Sequence, residues 1–431
     1  MSSYINTLNN KITLDWLVIG GGLGGICGMA RLLELYENKF QTQTQSQPKT
    51  LSILWVDADN FQAGDLRKRY GTVFSNTPVK NFTHFFNRLE TMKVYPFSTR
   101  PNYFEFNDVD QNDSCPLKLF TDQLLDVTQY WLATYPFILA IEGVVKKIRS
   151  IANTPITSNT YSFHISTKHT QLEQFQTNNI ILAHGCDPKI PPRIGCLRTS
   201  TFMDKINIIP LSEALDQSRL TKWRNILKPV NVLVFGNAHS GILILRNLEN
   251  LGWSTENTTT VYNIIKHPIV YPIEITVDTE CGTKTVELYD QTGIRGIALK
   301  WAKQNLQPIN KTNIKILNLN ENLDKIEQLL SSPNTCVIFA IGFKPRYIDI
   351  DINLDGESNT TNTTTQTPNI KPCYHNEENK FTFNVENGTF APNVYGLGLA
   401  FPETEYHHNI YECNVGLNEF LNYARKSIKK L

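Results

Sequence analysis

Apolar residues fall along this chain in two recurring patterns. One is the short, nearly unbroken run seen at Leu14 to Ile19, Leu51 to Val56, Asn179 to Ala183, Val230 to Phe235, Thr260 to Ile265 and Thr335 to Ile341. Runs of this length and β-branched content predict strands buried on both faces. The other is helical spacing, as in Leu117, Phe120, Leu124, Leu125, Val127 and Leu132 within a helix predicted over Cys115 to Tyr135. Similar spacing predicts helices from about Ile26 to Leu35, over Leu211 to Leu220, through Ile242 to Leu248, within Tyr289 to Gln304, and from Val415 to Ile428. Shorter strands are predicted at Ala140 to Ile148, Tyr161 to Ser166 and Asn393 to Leu399. Buried strands alternating with helices imply an α/β fold with parallel sheets.

Strand, glycine turn and helix follow one another twice. The first copy reads L-V-I-G-G-G-L-G-G, and Gly20, Gly22 and Gly25 fit G-x-G-x-x-G. In that pattern the first glycine permits a tight turn, the second lets backbone approach a pyrophosphate, and the third lets helix and strand pack closely. The helix start then offers unpaired N–H groups and a positive dipole end to phosphates. A purely structural glycine turn has the same local form, but the next strand ends in Asp57, a carboxylate suited to a ribose hydroxyl pair. The interval to Asp57 exceeds the usual spacing, and the glutamine- and threonine-rich Gln41 to Gln47 accounts for the excess as a surface loop. Arg67, in the Arg- and aromatic-rich stretch that follows, is a further candidate cofactor contact.

The second copy, G-N-A-H-S-G, spans Gly236 to Gly241, with Ala238 at the middle position and Ser240 and Gly241 opening the helix. Its following strand ends in Lys266 and His267 instead of an acid. A base there pairs with the 2′-phosphate of NADP where an acid would favour NAD; the alternative is a solvated loop lysine. A-H-G at Ala183 to Gly185 closes the first nucleotide unit, and Pro188, Pro191 and Pro192 stop regular structure beyond it. The expected plan is two Rossmann-like dinucleotide-binding domains, the NAD(P) domain inserted in the FAD domain: 1–195, then 196–335, then a return over 336–431 that ends in the C-terminal helix.

Composition narrows the partners. The 431 residues carry 41 basic and 40 acidic side chains with no long run of either sign, so nothing marks a nucleic-acid or anionic-membrane surface. A small-molecule substrate is expected. Met1 to Lys11 lacks an apolar signal core, and the eight cysteines show neither C-x-x-C nor metal-ligand spacing, which predicts a reducing, cytoplasmic setting and no metal site. Ser358 to Thr367 contains no apolar residue and is expected to be a disordered loop tip. Oligomeric state leaves no sequence signature here.

With these pieces the chain resembles the two-dinucleotide-binding flavoprotein superfamily over nearly its whole length. The matching motifs are Gly20 to Gly25 with Asp57, A-H-G at Ala183 to Gly185, G-N-A-H-S-G at Gly236 to Gly241, and F-A-I-G-F at Phe339 to Phe343 with Gly342. Within it the chain looks more like the flavin-containing monooxygenases than the disulfide reductases: paired redox cysteines are missing, and S-N-T at Ser75 to Thr77 and G-L-G-L-A-F-P around Gly398 are similar to monooxygenase stretches. The resemblance implies FAD and NADP (or NAD) as cofactors and oxygen as co-substrate for oxygenating a nitrogen or sulfur atom. It would place Asn76 near flavin C4a and N5, the alternative being a turn asparagine capping its own backbone. His407 and His408, after the last strand, are candidates for a chemical role facing the flavin. The long monooxygenase signature expected between Gly185 and Val230 is absent; the chain reads P-P-R-I-G-C-L-R-T-S there. Two alternatives therefore stand beside it: an NAD(P)H-dependent flavin reductase or oxidase, and a cofactor-binding protein without catalysis.

Overall fold

The computed structural model describes residues 13–42, 51–101, 106, 108–150, 160–167, 171–195, 197–198, 206–254, 259–271, 274–279, 282–287, 293–306, 312–346, 348–351, 373–375, 380–384, 389–390, 393–401, 403–407, 410–414 and 416–431. The tract beyond Thr42, the segment Ser358 to Thr367 and His408 lie outside the described residues.

The first glycine turn joins β1 (Thr13–Ile19) to α1 (Leu23–Thr42), and the chain continues into β2 (Ile53–Asp57), α2 (Asp65–Tyr70), α3 (Val79–Thr91) and α4 (Leu117–Thr134). It then forms β3 (Ile138–Glu142), β4 (Val144–Ser150), β5 (Tyr161–Ser166) and β6 (Gln171–Leu182). β1 lies between β2 and β6, all parallel, and β3 extends the sheet beyond β2. The single strand predicted over Ala140 to Ile148 is divided at Gly143, where a Cβ would stand 2.6 Å from the Ile165 side chain. That corner lets β4 pair antiparallel with β5 while β3 stays parallel to β2.

The unbroken apolar runs are explained by what each face of the sheet meets. Trp16 and Val18 point into an aromatic cluster under α1, α3 and α4 that includes Phe82, Phe86, Phe120 and Trp131. Leu17 and Ile19, one residue out of phase, enter a second cluster with Phe163, Phe175 and Ile180. Side chains alternate across a strand, so two covered faces require apolar residues at every position.

β7 (Cys186–Pro188) leads out of this unit, and β8 (Asn207–Ile208) enters the second sheet, followed by α5 (Gln217–Leu227). The predicted Leu211 to Leu220 helix breaks, because the Asp216 carboxylate accepts hydrogen bonds from the N–H groups of Ser218 and Arg219 and starts α5 afresh. β9 (Asn231–Phe235), α6 (His239–Asn250), β10 (Thr260–Ile265), α7 (Gly296–Asn305), β11 (Lys315–Asn318) and β12 (Thr335–Phe339) complete the unit. The order is β8-β12-β9-β10-β11 and every pairing is parallel. Val232 and Val234 face one cluster, and Leu233 and Phe235 face the other.

Two predicted boundaries shift. Ile194 already packs in the second sheet's cluster with Leu233 and Phe339, ahead of the expected start at 196. β12 sits inside the second sheet between β8 and β9, so the return comes after Phe339 and not after residue 335. The return strand β13 (Phe343–Pro345) pairs antiparallel with β7, Phe343 opposite Pro188, so the two crossings form one ribbon. β14 (Asp349–Asp351) joins β4, and β15 (Val394–Gly396) adds to the end of β6. The C-terminal α8 (Leu417–Ser427) packs on the aromatic cluster through Leu417, Phe420 and Leu421.

Candidate active site

Both glycine turns are built by one device. Gly20 takes φ +111°, and a Cβ there would stand 2.2 Å from the Ala183 carbonyl oxygen; a Cβ on Gly25 would stand 1.9 Å from the Gly20 oxygen. In the second copy Gly236 takes φ +108°, with Ala340 O at 2.3 Å from a built Cβ, and Gly241 meets the Gly236 oxygen at 2.3 Å. The frames agree too: Ala183 N donates to Ile19 O and Ala340 N to Phe235 O, both at 2.8 Å. Ala183-His184-Gly185 and Ala340-Ile341-Gly342 are thus equivalent ends of closing strands, with Gly185 at φ +75° and Gly342 at φ +89°.

Gly22 behaves differently, since nothing lies nearer a built Cβ than 4.0 Å. Space is left beside its backbone, where the first turn of α1 presents N–H groups without partners inside the helix. Gly24 is crossed by the C-terminal segment, its built Cβ 2.9 Å from Gly398 Cα, and Gly398 holds φ +84°. The A-H-G end and the loop at Gly398 thus both pack against the glycine turn that starts α1.

Asp57 is buried and its carboxylate is taken up by backbone: Oδ1 accepts from Gly21 N at 2.8 Å, and Oδ2 accepts from Asp59 N at 3.0 Å and Phe61 N at 2.8 Å. It fastens the β2 end to the glycine turn and shapes the following loop, where Asn60, Phe61, Ala63 and Gly64 all have positive φ. Left-handed conformations at three non-glycine residues carry a cost, and the loop lies on the turn, a Cβ at Gly64 being 3.1 Å from Gly22 Cα. Arg67 is directed elsewhere. Its Nε donates to Asp122 at 2.9 Å and its Nη1 to Gln62 at 3.0 Å, and it lines a cavity of about 200 Å³ with Arg69, Lys118 and Arg219.

Asn76 sits where the two units touch. Ser75 N donates to Cys115 O at 2.9 Å and Ser75 Oγ to Thr77 O at 2.6 Å, fixing the S-N-T turn, while Asn76 Oδ1 is buried and meets no hydrogen-bond donor among the described residues. Val73, three residues earlier, packs into the second unit's core. From that unit His239 donates through Nε2 to Phe74 O at 3.1 Å, and Gly296, at the start of α7, stands over Ser114, whose Oγ would be 2.7 Å from a built Cβ. Lys300 Nζ pairs with Asp113 at 2.9 Å along the same seam.

His184 stands inside A-H-G, between the two residues that turn the end of β6. Its Nε2 donates to Arg346 O at 3.0 Å, its ring meets Phe401 edge-on at 5.2 Å between centroids, and Nδ1 is buried without a partner among the described residues. Burial pushes its pKa down to about 4, so the ring is neutral. Arg346 is itself held by Asp65 of α2 and by Asp187 of β7, tying the crossing ribbon to the first unit. Lys266 lies exposed just past β10, beside His267, whose carbonyl accepts from Asn237 Nδ2 at 2.7 Å. His407 comes after the last main-sheet strand, Val394–Gly396, and ends the first strand of a separate hairpin, Glu403–His407 with Ile410–Asn414.

Burial raises the thiol pKa of Cys115 and Cys186 to about 11 and of Cys336 to about 12, and pushes that of Cys27 up further. These four are unpaired, so none of them supplies a redox disulfide. Among the described residues no group of His, Cys, Asp and Glu could hold a metal ion, and no helix is long and apolar enough to cross a membrane.

The geometry has a counterpart among solved structures. The ornithine N-hydroxylase KtzI of Kutzneria sp. 744, a complex with reduced FAD, NADP+ and L-ornithine, matches 96% of this chain and 98% of its own at a TM-score of 0.51 and 12% identity. Tmm of Pelagibacter sp. strain HTCC7211 matches 96% of this chain and 74% of its own at a TM-score of 0.51 and 11% identity. The fold is that of the two-dinucleotide-binding-domain FAD/NAD(P) oxidoreductases. Among curated proteins, this chain is similar to monooxygenase AgnR1 of Paecilomyces divaricatus, 23% identical over 424 residues, which is 95% of this chain and 96% of that one. No family model matches the chain.

Proposed function

We propose that this oxidoreductase is an FAD-dependent monooxygenase that uses NAD(P)H and oxygen to oxygenate a nitrogen or sulfur atom of a small substrate. One observation carries the reading: two glycine turns of the same build open the two units, and the second reaches through His239 to the turn of Asn76, whose Oδ1 is buried with no partner among the described residues. Similarity to a monooxygenase along 95% of the chain supports it.

The residues present fit the cofactors. Gly20 and Gly25 set the turn, the open side of Gly22 admits a pyrophosphate, and Asp57 holds the turn's backbone while keeping a lone pair for a ribose hydroxyl. Exposed Ile341 and Leu399 offer apolar surface at the ends of the two units for ring systems to cover. Gly236, Ala238, Ser240 and Gly241 would form the corresponding nicotinamide-side cradle, and exposed Lys266 would meet a 2′-phosphate. Gly185, Gly342 and Gly398 let backbone turn where these ends converge.

When bound, FAD supplies hydride acceptance from the nicotinamide and activation of oxygen. The chain's own task is to orient the two nucleotides across the seam, to hold Asn76 Oδ1 as an acceptor, and to keep water out. Oxygen uptake and NADPH oxidation that rise together with an amine or sulfide substrate, matched by oxygenated product, are the test. Turnover with a quinone-type acceptor and no oxygenated product would instead favour the reductase reading, which the missing signature between Gly185 and Val230 motivates.

A further inference from the structure

His239 is the first residue of α6, where the second glycine turn ends, yet its ring's only hydrogen-bond partner among the described residues belongs to the other unit. A carbonyl oxygen only accepts, so the 3.1 Å contact with Phe74 O places the proton on Nε2. Burial holds the ring neutral, which leaves Nδ1 as an acceptor lone pair, and that atom is buried with no partner among the described residues. Buried acceptors without donors are rare in folded proteins and call for an explanation. A phosphate cannot meet this one, since its oxygens are acceptors as well. A ribose hydroxyl or a carboxamide N–H can.

The far end of the ring matters equally. Phe74 O is two residues from Asn76, in a turn fixed by Ser75 to Cys115 and Thr77 and covered by Gly296. We propose that His239 is a positioning residue joining the two cofactor sites: its Nδ1 accepts a hydrogen bond from a hydroxyl or amide donor of the bound nicotinamide nucleotide while its Nε2–H holds the turn that carries Asn76. Occupancy of the second glycine turn is thereby felt at the flavin side through one rigid ring. This rests on the proposed function above.

The experiment titrates NADP+ into FAD-loaded protein and follows both the dissociation constant and the change in the flavin's visible spectrum at saturation. His239→Leu removes both hydrogen bonds, and His239→Asn is too short to span them; each is expected to weaken NADP+ about tenfold and to abolish most of the saturating spectral change. His239→Gln, which carries a donor and an acceptor on a longer stem, restores both. Melting temperatures of the three variants are measured alongside, and a purely structural role would move those without removing the spectral change at saturation. Wild-type affinity in the Leu and Asn variants, or a wild-type spectral change at saturation despite weaker binding, overturns the inference while leaving the proposed function in place. A wild-type protein that holds no flavin overturns both.

Discussion

Gly25 lies so close beneath Gly20 that a single added methyl would stand 1.9 Å from the Gly20 carbonyl oxygen. Gly22, two residues past Gly20 in the same turn, has no such neighbour. Gly25→Ala should therefore force helix and strand apart and destabilise the protein by about 1–3 kcal/mol or more. Gly22→Ala should melt like the wild type yet bind FAD at least about tenfold more weakly, roughly 1.4 kcal/mol. Thermal melting with FAD titration separates the two, and equal loss of stability in both variants would remove the distinction drawn here.

Asp57 accepts three backbone N–H bonds, and an amide oxygen cannot replace two carboxylate oxygens. Asp57→Asn is expected to cost about 1–3 kcal/mol of stability through the unmet donors, whatever its effect on the ribose. Denaturant unfolding without added FAD measures this directly. Unchanged stability would mean that the carboxylate is not the clamp of the turn.

The ends of strands and the glycine fingerprints were legible because each is written in a few neighbouring residues. Apolar runs, Gly20 to Gly25 and Gly236 to Gly241 needed no distant information. The contact between His239 and Phe74 spans 165 positions, and nothing local marks it. The same limit moved the domain boundaries: β12 looks like any buried strand, and only its pairing with β8 and β9 assigns it to the second unit. Arg67 was legible as a basic residue near a nucleotide site, but not as the partner of Asp122. His184 had a signal, its place inside A-H-G, that glycine-centred reading passed over.

His184 gives the stability a pH dependence. Its pKa falls from the usual 6.5 to about 4 in the fold because burial disfavours the charged ring. Below 6.5 the unfolded chain takes up a proton that the native state refuses, so this contribution is full above 6.5 and is lost as pH falls toward about 4. Denaturation midpoints at several pH values, compared with His184→Gln, should show the wild type losing more stability across that window. Parallel curves would contradict it.

Asn76 Oδ1 meets no donor among the described residues, so its removal should leave the fold nearly untouched. Asn76→Ala is expected to melt within a few degrees of the wild type and to accept hydride from NADPH at a similar rate, while oxygenated product per NADPH consumed drops about 10-fold or more. A variant with undiminished product yield would assign Asn76 to the turn alone.

Lys266 is exposed and free to meet a 2′-phosphate. Lys266→Ala should lower the preference for NADPH over NADH by about fivefold to tenfold, read as the ratio of kcat/KM values and diminishing with salt. An unchanged ratio would make it a solvated loop lysine.

The central claim, that the two glycine turns hold a flavin and a nicotinamide nucleotide facing one seam, is tested most directly by anaerobic reduction. Purified protein loaded with FAD should be yellow and should bleach on adding NADPH without oxygen, faster than with NADH. A protein that stays colourless after FAD loading, or whose yellow colour persists under both nucleotides, would contradict the account.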